Sequence, residues 1–325
     1  MVTEADNLYP VINQQKFRFV TGFYPLHPAG QDKTDTNTCF NMNDEQCLYL
    51  NAKSDCRSEN IKKYYLINNS DDLLLQSNTI TTIIEQLKRD WPDSVDIDQQ
   101  HTQQTITLTT PCGSLSLFYD GTVYTIDDTG YVDALDALIT QLQEDVAIVQ
   151  VNSAGHDQVE LLHICFPNHW SPASMLGKCF AGTHAKVPEM SHITQRSAQL
   201  YKSVFKHGPL CRDTWGLATD TRLNHHPVPP PTIDANNWAG RAFNPNNPQL
   251  FLRTEHQTLL PFADGEHIAF LIHTRHLDVS KMDKTRVTQL KQAIDTMPPA
   301  VRQYKGLTTS ADAIMDWLDQ LAATN

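Results

Sequence analysis

The chain has 325 residues, 40% of them hydrophobic and 19% charged, with 25 basic against 37 acidic side chains and a net charge of -12. This is the composition of a folded protein with room for a large core, and it excludes a disordered or low-complexity chain. The acidic balance argues against nucleic acid or an anionic membrane surface as a partner.

The N-terminal stretch MVTEADNLYPVINQQKFRFV has neither the basic start nor the apolar run of a secretory signal. No apolar run reaches the roughly 20 residues of a membrane helix. Seven cysteines, an odd number without C-x-x-C spacing, predict reduced thiols and a cytoplasmic protein. FRFVTGFYPL (17–26) reads as a strand, and the polar stretch from Gly30 to Asn60 as long connections. From Thr81, Ile83, Ile84, Leu87 and Trp91 recur at helical spacing until Pro92 stops them. The period then changes to two. TITLTT (105–110) and SLSLFY (114–119) are joined by Pro111-Cys112-Gly113, and Asp120-Gly121 leads into TVYTI (122–126) as a hairpin signal.

A helix is predicted from about Val132 to Glu144, followed by the strands DVAIVQV and QVELLHICF across the turn-rich Asn152-Ser153-Ala154-Gly155. Ser171-Pro172 starts a helix with Leu176, Cys179, Phe180 and Thr183 on one stripe, ending at His184. A second helix follows from roughly Ser191 to Lys206. Residues 224–248, rich in Pro and Asn, form a long loop or flap. QLFLRTEHQTLL and EHIAFLIHTRHL pair as antiparallel strands, and amphipathic helices at about Lys284 to Met297 and Ser310 to Ala322 complete the chain. Hairpins with helices inserted between them point to an α+β fold with a mainly antiparallel sheet. No G-x-G-x-x-G or G-x-x-x-x-G-K-[ST] loop is present to hold a dinucleotide or nucleoside triphosphate, and no iron–sulfur spacing is visible.

Three groups of residues carry candidate chemistry. His184 lies on the stripe of Leu176 and Phe180, and is either a core histidine held by a carbonyl or a ligand. In FLRTEHQTLLPF (251–262), Arg253, Glu255 and Gln257 share one strand face while Thr254, His256 and Thr258 share the other. Between apolar flanks, the first row is either a solvated face or a site where arginine holds an acidic group and glutamate meets a cation. Arg212 and Trp215 in RDTW are either an anion site beside an apolar plate or a surface cation–π pair. His225-His226 in the Pro-rich loop are metal ligands or incidental loop histidines, and a nucleophilic Cys165 or Cys179 has no recognisable signature.

The succession LQEDVAIV (142–149), CFPNHWSPASMLGKCFAGTHAKVP (165–188), RDTW (212–215), LRTEHQTLLP (252–261) and YKGL (304–307) resembles the haem-dependent oxidative N-demethylase family, in its haem-binding catalytic alpha-subunit type. The ordered similarity covers roughly residues 140–307, with a weaker echo at FRFVTGFYPL. The resemblance implies one domain over 1–325, with a PAS-like antiparallel sheet at about 100–280 enlarged by flanking helices and C-terminal helices at 281–325. It implies a non-covalent haem b with His184 as the axial iron ligand. Arg212 and Arg253 match arginines assigned to the haem propionates, with Trp215 beside them. Glu255, Gln257 and Thr258 match a pocket-lining stretch, with Glu255 as the candidate catalytic group.

The implied reaction removes a methyl group oxidatively from a small methylated amine, dimethylamine-like, giving the shorter amine and formaldehyde. Electrons would come from an external reductase, a separate subunit or protein, and an oligomer is compatible with this. The family pattern has arginine at the position of His256, proline at that of Lys186 and a basic residue near Met175, so a dianionic cofactor meets less positive charge here. The residues alone leave His163, His192 and His273 as alternative iron ligands. They also leave open a haem-binding sensor without turnover and a haem-free homologue.

Overall fold

Runs of β-branched and aliphatic residues bounded by Gly, Pro, Asn and Asp build this molecule mainly from antiparallel strands. The computed structural model describes residues 17, 22–26, 38–100, 103–190 and 194–324. Eleven strands are formed among them: β1 (Tyr24–Pro25), β2 (Tyr65–Ile67), β3 (Val95–Gln100), β4 (Gln103–Thr110), β5 (Gly113–Tyr119), β6 (Tyr124–Thr125), β7 (Asp145–Val151), β8 (Asp157–His163), β9 (Leu210–Ala218), β10 (Phe251–Pro261) and β11 (His267–Asp278). Seven make one sheet in the order β1-β9-β10-β11-β7-β8-β2, and four make a meander, β3-β4-β5-β6. Every pairing between them is antiparallel. The α+β expectation with a mainly antiparallel sheet is met.

Helices cover both faces of the large sheet. They are α1 (Gln46–Asn60), α2 (Leu73–Asp90), α3 (Ala134–Thr140), α4 (Phe180–Thr183), α5 (Ser197–His207), α6 (Ala235–Trp238), α7 (Lys284–Asp295), α8 (Pro299–Tyr304) and α9 (Ala311–Thr324). Strand alternation sends Val146, Ile148, Leu271 and Leu260 to one face, where they pack with α2, α3 and the small sheet. Further along that face, Leu217, Leu250 and Leu252 pack with α7 to α9. Ala147, Val149, Leu259, Ile268 and Ile272 line the opposite face under Phe180 of α4 and Tyr201 and Val204 of α5. Among the described residues no helix is long and apolar enough to cross a membrane.

Several expectations change. The stretch expected to connect Gly30 to Asn60 contains α1, whose buried stripe is Gln46, Tyr49, Lys53 and Cys56. A helical stripe with a lysine and a glutamine in it gives no apolar signal. The helix expected from Ser171 to His184 is two short pieces, a 3-10 turn at Pro172–Ser174 and α4. Between them Gly177, at φ 74, donates its N–H to Val159 O, and Val159 donates to Lys178 O, so the segment pairs with β8 instead of continuing as a helix. Helix α5 begins at Ser197; His192 lies outside the described residues, as do residues 18–21 of FRFVTGFYPL, whose Tyr24–Pro25 form β1. Finally, Cys47 and Cys112 form a disulfide, with Cα atoms 5.5 Å apart, tying α1 to the β4–β5 turn. The expectation of seven reduced thiols is corrected, since nothing in a separation of 65 residues marks the pair.

Candidate active site

The register of three neighbouring strands assembles the site. Gln257 of β10 stands opposite Arg212 of β9, Glu255 opposite Thr214, and Arg253 opposite Gly216. On the other side of β10, Arg253 faces His276 and Glu255 faces Thr274 of β11. Residues paired directly across strands project from the same face. A polar row follows. Arg212 Nε donates to Gln257 Oε1 at 2.7 Å, and Gln257 Nε2 donates to Glu255 Oε2 at 2.9 Å. Glu255 Oε1 lies 3.8 Å from Arg253 Nε. Arg253 is 1% exposed, and its two terminal nitrogens donate to Leu223 O at 2.8 Å and Phe166 O at 2.7 Å. Burial lowers the pKa of Arg212 to about 10, with Glu255 acting in the other direction, so the guanidinium stays charged at neutral pH.

His184 follows α4 on this same side of the sheet. Its Nδ1 lies 2.9 Å from Phe180 O and 3.0 Å from Thr183 Oγ1, and its ring packs against Phe180 at a tilt of 34°, with centroids 4.1 Å apart. With Nδ1–H directed at the carbonyl, Nε2 carries the lone pair and has no hydrogen-bond partner among the described residues. Burial holds the imidazole near pKa 4, Arg212 adds to that, and the ring is neutral. Half-buried Trp170, Met175, Leu176 and Phe180 surround the apolar end of the face, around Leu259 and Ile272.

Four predicted residues, Arg212, Arg253, Glu255 and Gln257, therefore form one row with His184 near its Arg212 end. Trp215 and Thr258 do not join them. Alternation turns both to the opposite face: Trp215 packs with Leu217 and Leu252 and meets Phe17 edge-on at 6.1 Å, while Thr258 Oγ1 lies 3.5 Å from Cys211 Sγ. His256 is on that face too, with Nδ1 2.9 Å from Asp213 Oδ1, and Asp213 also accepts from the Tyr24 hydroxyl at 2.8 Å. Of the alternative ligands, His163 is buried with Nε2 3.0 Å from Asp136, and His273 is buried on the far face against Tyr49, with ring centroids 5.3 Å apart.

Sequence reasoning missed a second group around Arg253. The stacked rings of His169 and His225, 5.4 Å apart, lie beside His276, whose ring is 6.4 Å from that of His225. Arg241, from the Pro- and Asn-rich loop, approaches the same place. A Cβ on Gly306, which sits at φ 70, would come within 2.5 Å of Arg241 Cδ, so glycine is what lets the arginine past. Lys305 donates to Trp215 O from the sheet edge, and burial lowers its pKa to about 8, with Glu255 acting in the other direction. The YKGL segment holds Lys305 and Gly306, and was the only signal for these contacts. The loop is braced, with Trp238 Nε1 donating to His226 O at 2.7 Å and Arg222 stacked on the indole at 4.3 Å. Among the described residues no three His, Cys, Asp or Glu side chains converge as a metal-sized cluster, at His225 and His226 or elsewhere.

The arrangement can hold an anion at its guanidinium groups, a cation at Glu255, and a metal or a proton at His184 Nε2. Residues 30–315 match the sequence family described as haem-dependent oxidative N-demethylase, alpha subunit-like. A match over that span, containing every element from α1 to the first part of α9, assigns the chain: it belongs to the haem-dependent oxidative N-demethylase alpha subunit-like family.

Proposed function

We propose that this chain binds haem b and uses it as a monooxygenase to demethylate a small methylated amine, releasing formaldehyde and the shorter amine. His184 carries this reading. An axial histidine needs a neutral ring, a free nitrogen and a second nitrogen fixed by a hydrogen bond. His184 meets all three conditions through Phe180 O and its low pKa. The surroundings fit a planar apolar group with acidic substituents: half-buried Trp170, Met175, Leu176 and Phe180 lie on one side, and the buried Arg212, held by Gln257, offers its guanidinium. The antiparallel sheet would serve as the PAS-like holder.

In this reading His184 Nε2 would hold the iron, and Arg212, oriented by Gln257, would pair with a propionate. Haem, when bound, supplies the oxygen activation and the oxidation of the N-methyl carbon. Glu255, held by Gln257 Nε2, receives the substrate ammonium or passes a proton through its free Oε1. Phe180, Trp170 and Leu176 exclude bulk water from the reacting carbon. Trp215 and Thr258 act through the sheet, by packing under the strand that carries Glu255 and Gln257. Two electrons per oxygen come from a separate reductase, and the family's alpha-subunit description supports a partner subunit. A cytoplasmic location belongs to the same reading. The Cys47–Cys112 bridge stands against it, because such bonds are rare in reducing compartments.

The test is the visible spectrum of haemin-reconstituted protein, wild type beside His184→Ala. A Soret band at one haem per chain, with a histidine-ligated spectrum lost in the variant, is expected. Identical spectra would move the ligand elsewhere, and no haem uptake by wild type would sink the proposal.

A further inference from the structure

The group around Arg253 holds more positive charge than its surroundings neutralise. Three guanidinium groups, Arg212, Arg241 and Arg253, are set against Glu255; Asp145 and Asp220 also act on Arg253, and Asp145 is shared with Lys53. Asp220 is engaged elsewhere, with Arg222 at 2.6 Å and His225 Nε2 at 3.0 Å. Arg241 makes no hydrogen bond through its guanidinium among the described residues, yet burial has lowered its pKa to about 10. Four polar atoms in this group are buried without a hydrogen-bond partner among the described residues: Arg241 Nε, Arg253 Nε, His225 Nδ1 and His276 Nε2. Two are N–H donors and His276 Nε2 can be a third, whereas His225, whose Nε2–H donates to Asp220, presents an acceptor at Nδ1. Burying such atoms unpaired is costly, and burying excess cations costs more, so a native cluster of this kind is completed by an anion.

Position along the strand narrows the anion. Arg253 and Glu255 are next neighbours on one strand face, roughly 7 Å apart. Arg253 Nε and Glu255 Oε1 stand 3.8 Å apart, too far for a hydrogen bond, so each retains bonding capacity beside its opposite charge. A ligand carrying both an ammonium and a carboxylate a few ångströms apart would satisfy both. A bare dialkylammonium ion would satisfy only Glu255.

We infer that Arg241, Arg253 and His276 form a carboxylate-binding subsite beside Glu255, and that the substrate is a methylated amine that also carries a carboxylate, an N-methylated amino acid. The substrate role rests on the demethylase reading; the subsite does not. Gly306 and the bracing of Trp238 hold Arg241 in place, and the Leu223 and Phe166 carbonyls hold Arg253.

The experiment is calorimetric binding of N,N-dimethylglycine and of dimethylamine to the full chain. It is run haem-free and haemin-reconstituted, in wild type, Arg241→Met and His276→Leu. Wild type is expected to prefer N,N-dimethylglycine by about tenfold or more, the value of one charge-assisted hydrogen bond, and each variant to lose that preference. Haemin occupancy is expected to stay at the wild-type level. Equal affinity of wild type for the two ligands overturns the inference. So does loss of haemin in Arg241→Met with the ligand preference unchanged, which would give these cations to the cofactor. If Arg241→Met fails to fold by circular dichroism, His276→Leu decides. A wild type that takes up no haemin sinks the demethylase reading, and the haem-free titration still judges the subsite.

Discussion

Two regions of this molecule bury several charged groups each, and they do so in opposite ways. Under α1 and α3, Asp136 accepts from Arg57 Nε at 3.1 Å and Nη2 at 2.9 Å, faces His163 Nε2 at 3.0 Å, and accepts from the Val132 amide at 2.9 Å. Nearby, Lys53 Nζ donates to Ile139 O at 2.8 Å and Glu144 O at 2.6 Å, close to Asp145, which accepts from the amides of Cys165 and Phe166. Each charge there has a counter-charge and hydrogen bonds. Around Arg253, the Nε donors of Arg241 and Arg253 and ring nitrogens of His225 and His276 are buried without a hydrogen-bond partner among the described residues. Burial alone thus does not distinguish structural from functional charge. In the first region each charged group has a hydrogen-bonded partner, with His163 Nδ1 and Glu144 Oε2 left over, whereas in the second the unpaired atoms include two guanidinium Nε donors, capacity for an anionic ligand.

The largest expected effect comes from breaking the ion-paired region under α1 and α3. Asp136→Ala leaves Arg57 and fully buried His163 without their anion, which should cost about 3–5 kcal/mol in urea unfolding. Burial works against the Asp136 carboxylate, yet the hydrogen bonds from His163 and Arg57 hold its pKa well below the ordinary range. A loss below about 1 kcal/mol would mean that the pairing is not what stabilises this region, and the contrast with Arg253 would fail.

The two regions also differ in how far the sequence reveals them. Alternation in FLRTEHQTLLPF assigns Arg253, Glu255 and Gln257 to one face and His256 to the other, because a strand's period of two is local geometry. The hairpin β4–β5 and the helices α7 and α9 are legible for the same reason. Lys53 is not, because a buried lysine in a helix stripe resembles a solvated one until Glu144 and Asp145 arrive from another element. Arg241 is hidden in a Pro- and Asn-rich loop, and its role depends on a close approach across Gly306, 65 residues later in the chain. The break at Gly177 is equally tertiary, since it is the pairing with Val159 that ends the turn. Periodicity reports which face a residue lies on, but not which distant segment meets it there.

The far face of β10 offers a titratable version of the same contrast. His256 is 3% exposed; burial works against its cation, but the hydrogen bond and charge of Asp213 outweigh it and raise the pKa to about 9. The folded protein therefore holds this proton more tightly than the unfolded chain does. The contribution is full below about pH 6.5 and is lost as pH rises through 9, an amount on the order of 2–3 kcal/mol. Unfolding free energies measured from pH 6 to 10 should fall over that window in wild type. His256→Gln should flatten the fall, and an unchanged slope would show that the pair is not linked to folding.

The smallest expected effect is the most informative about the cation-rich region. In a complete network, removing one member leaves its partner stranded, but Arg241 has no hydrogen-bonded partner among the described residues to strand. Arg241→Met keeps much of the side chain's length and apolar stem while removing one of three guanidinium charges that repel each other. Without ligand, its unfolding free energy should stay within about 1 kcal/mol of wild type, or rise, against the several kcal/mol expected for Asp136→Ala. Adding N,N-dimethylglycine should then stabilise wild type by mass action and leave the variant unmoved. If Arg241→Met loses as much stability as Asp136→Ala, Arg241 is a structural charge, and the two regions differ in geometry but not in purpose.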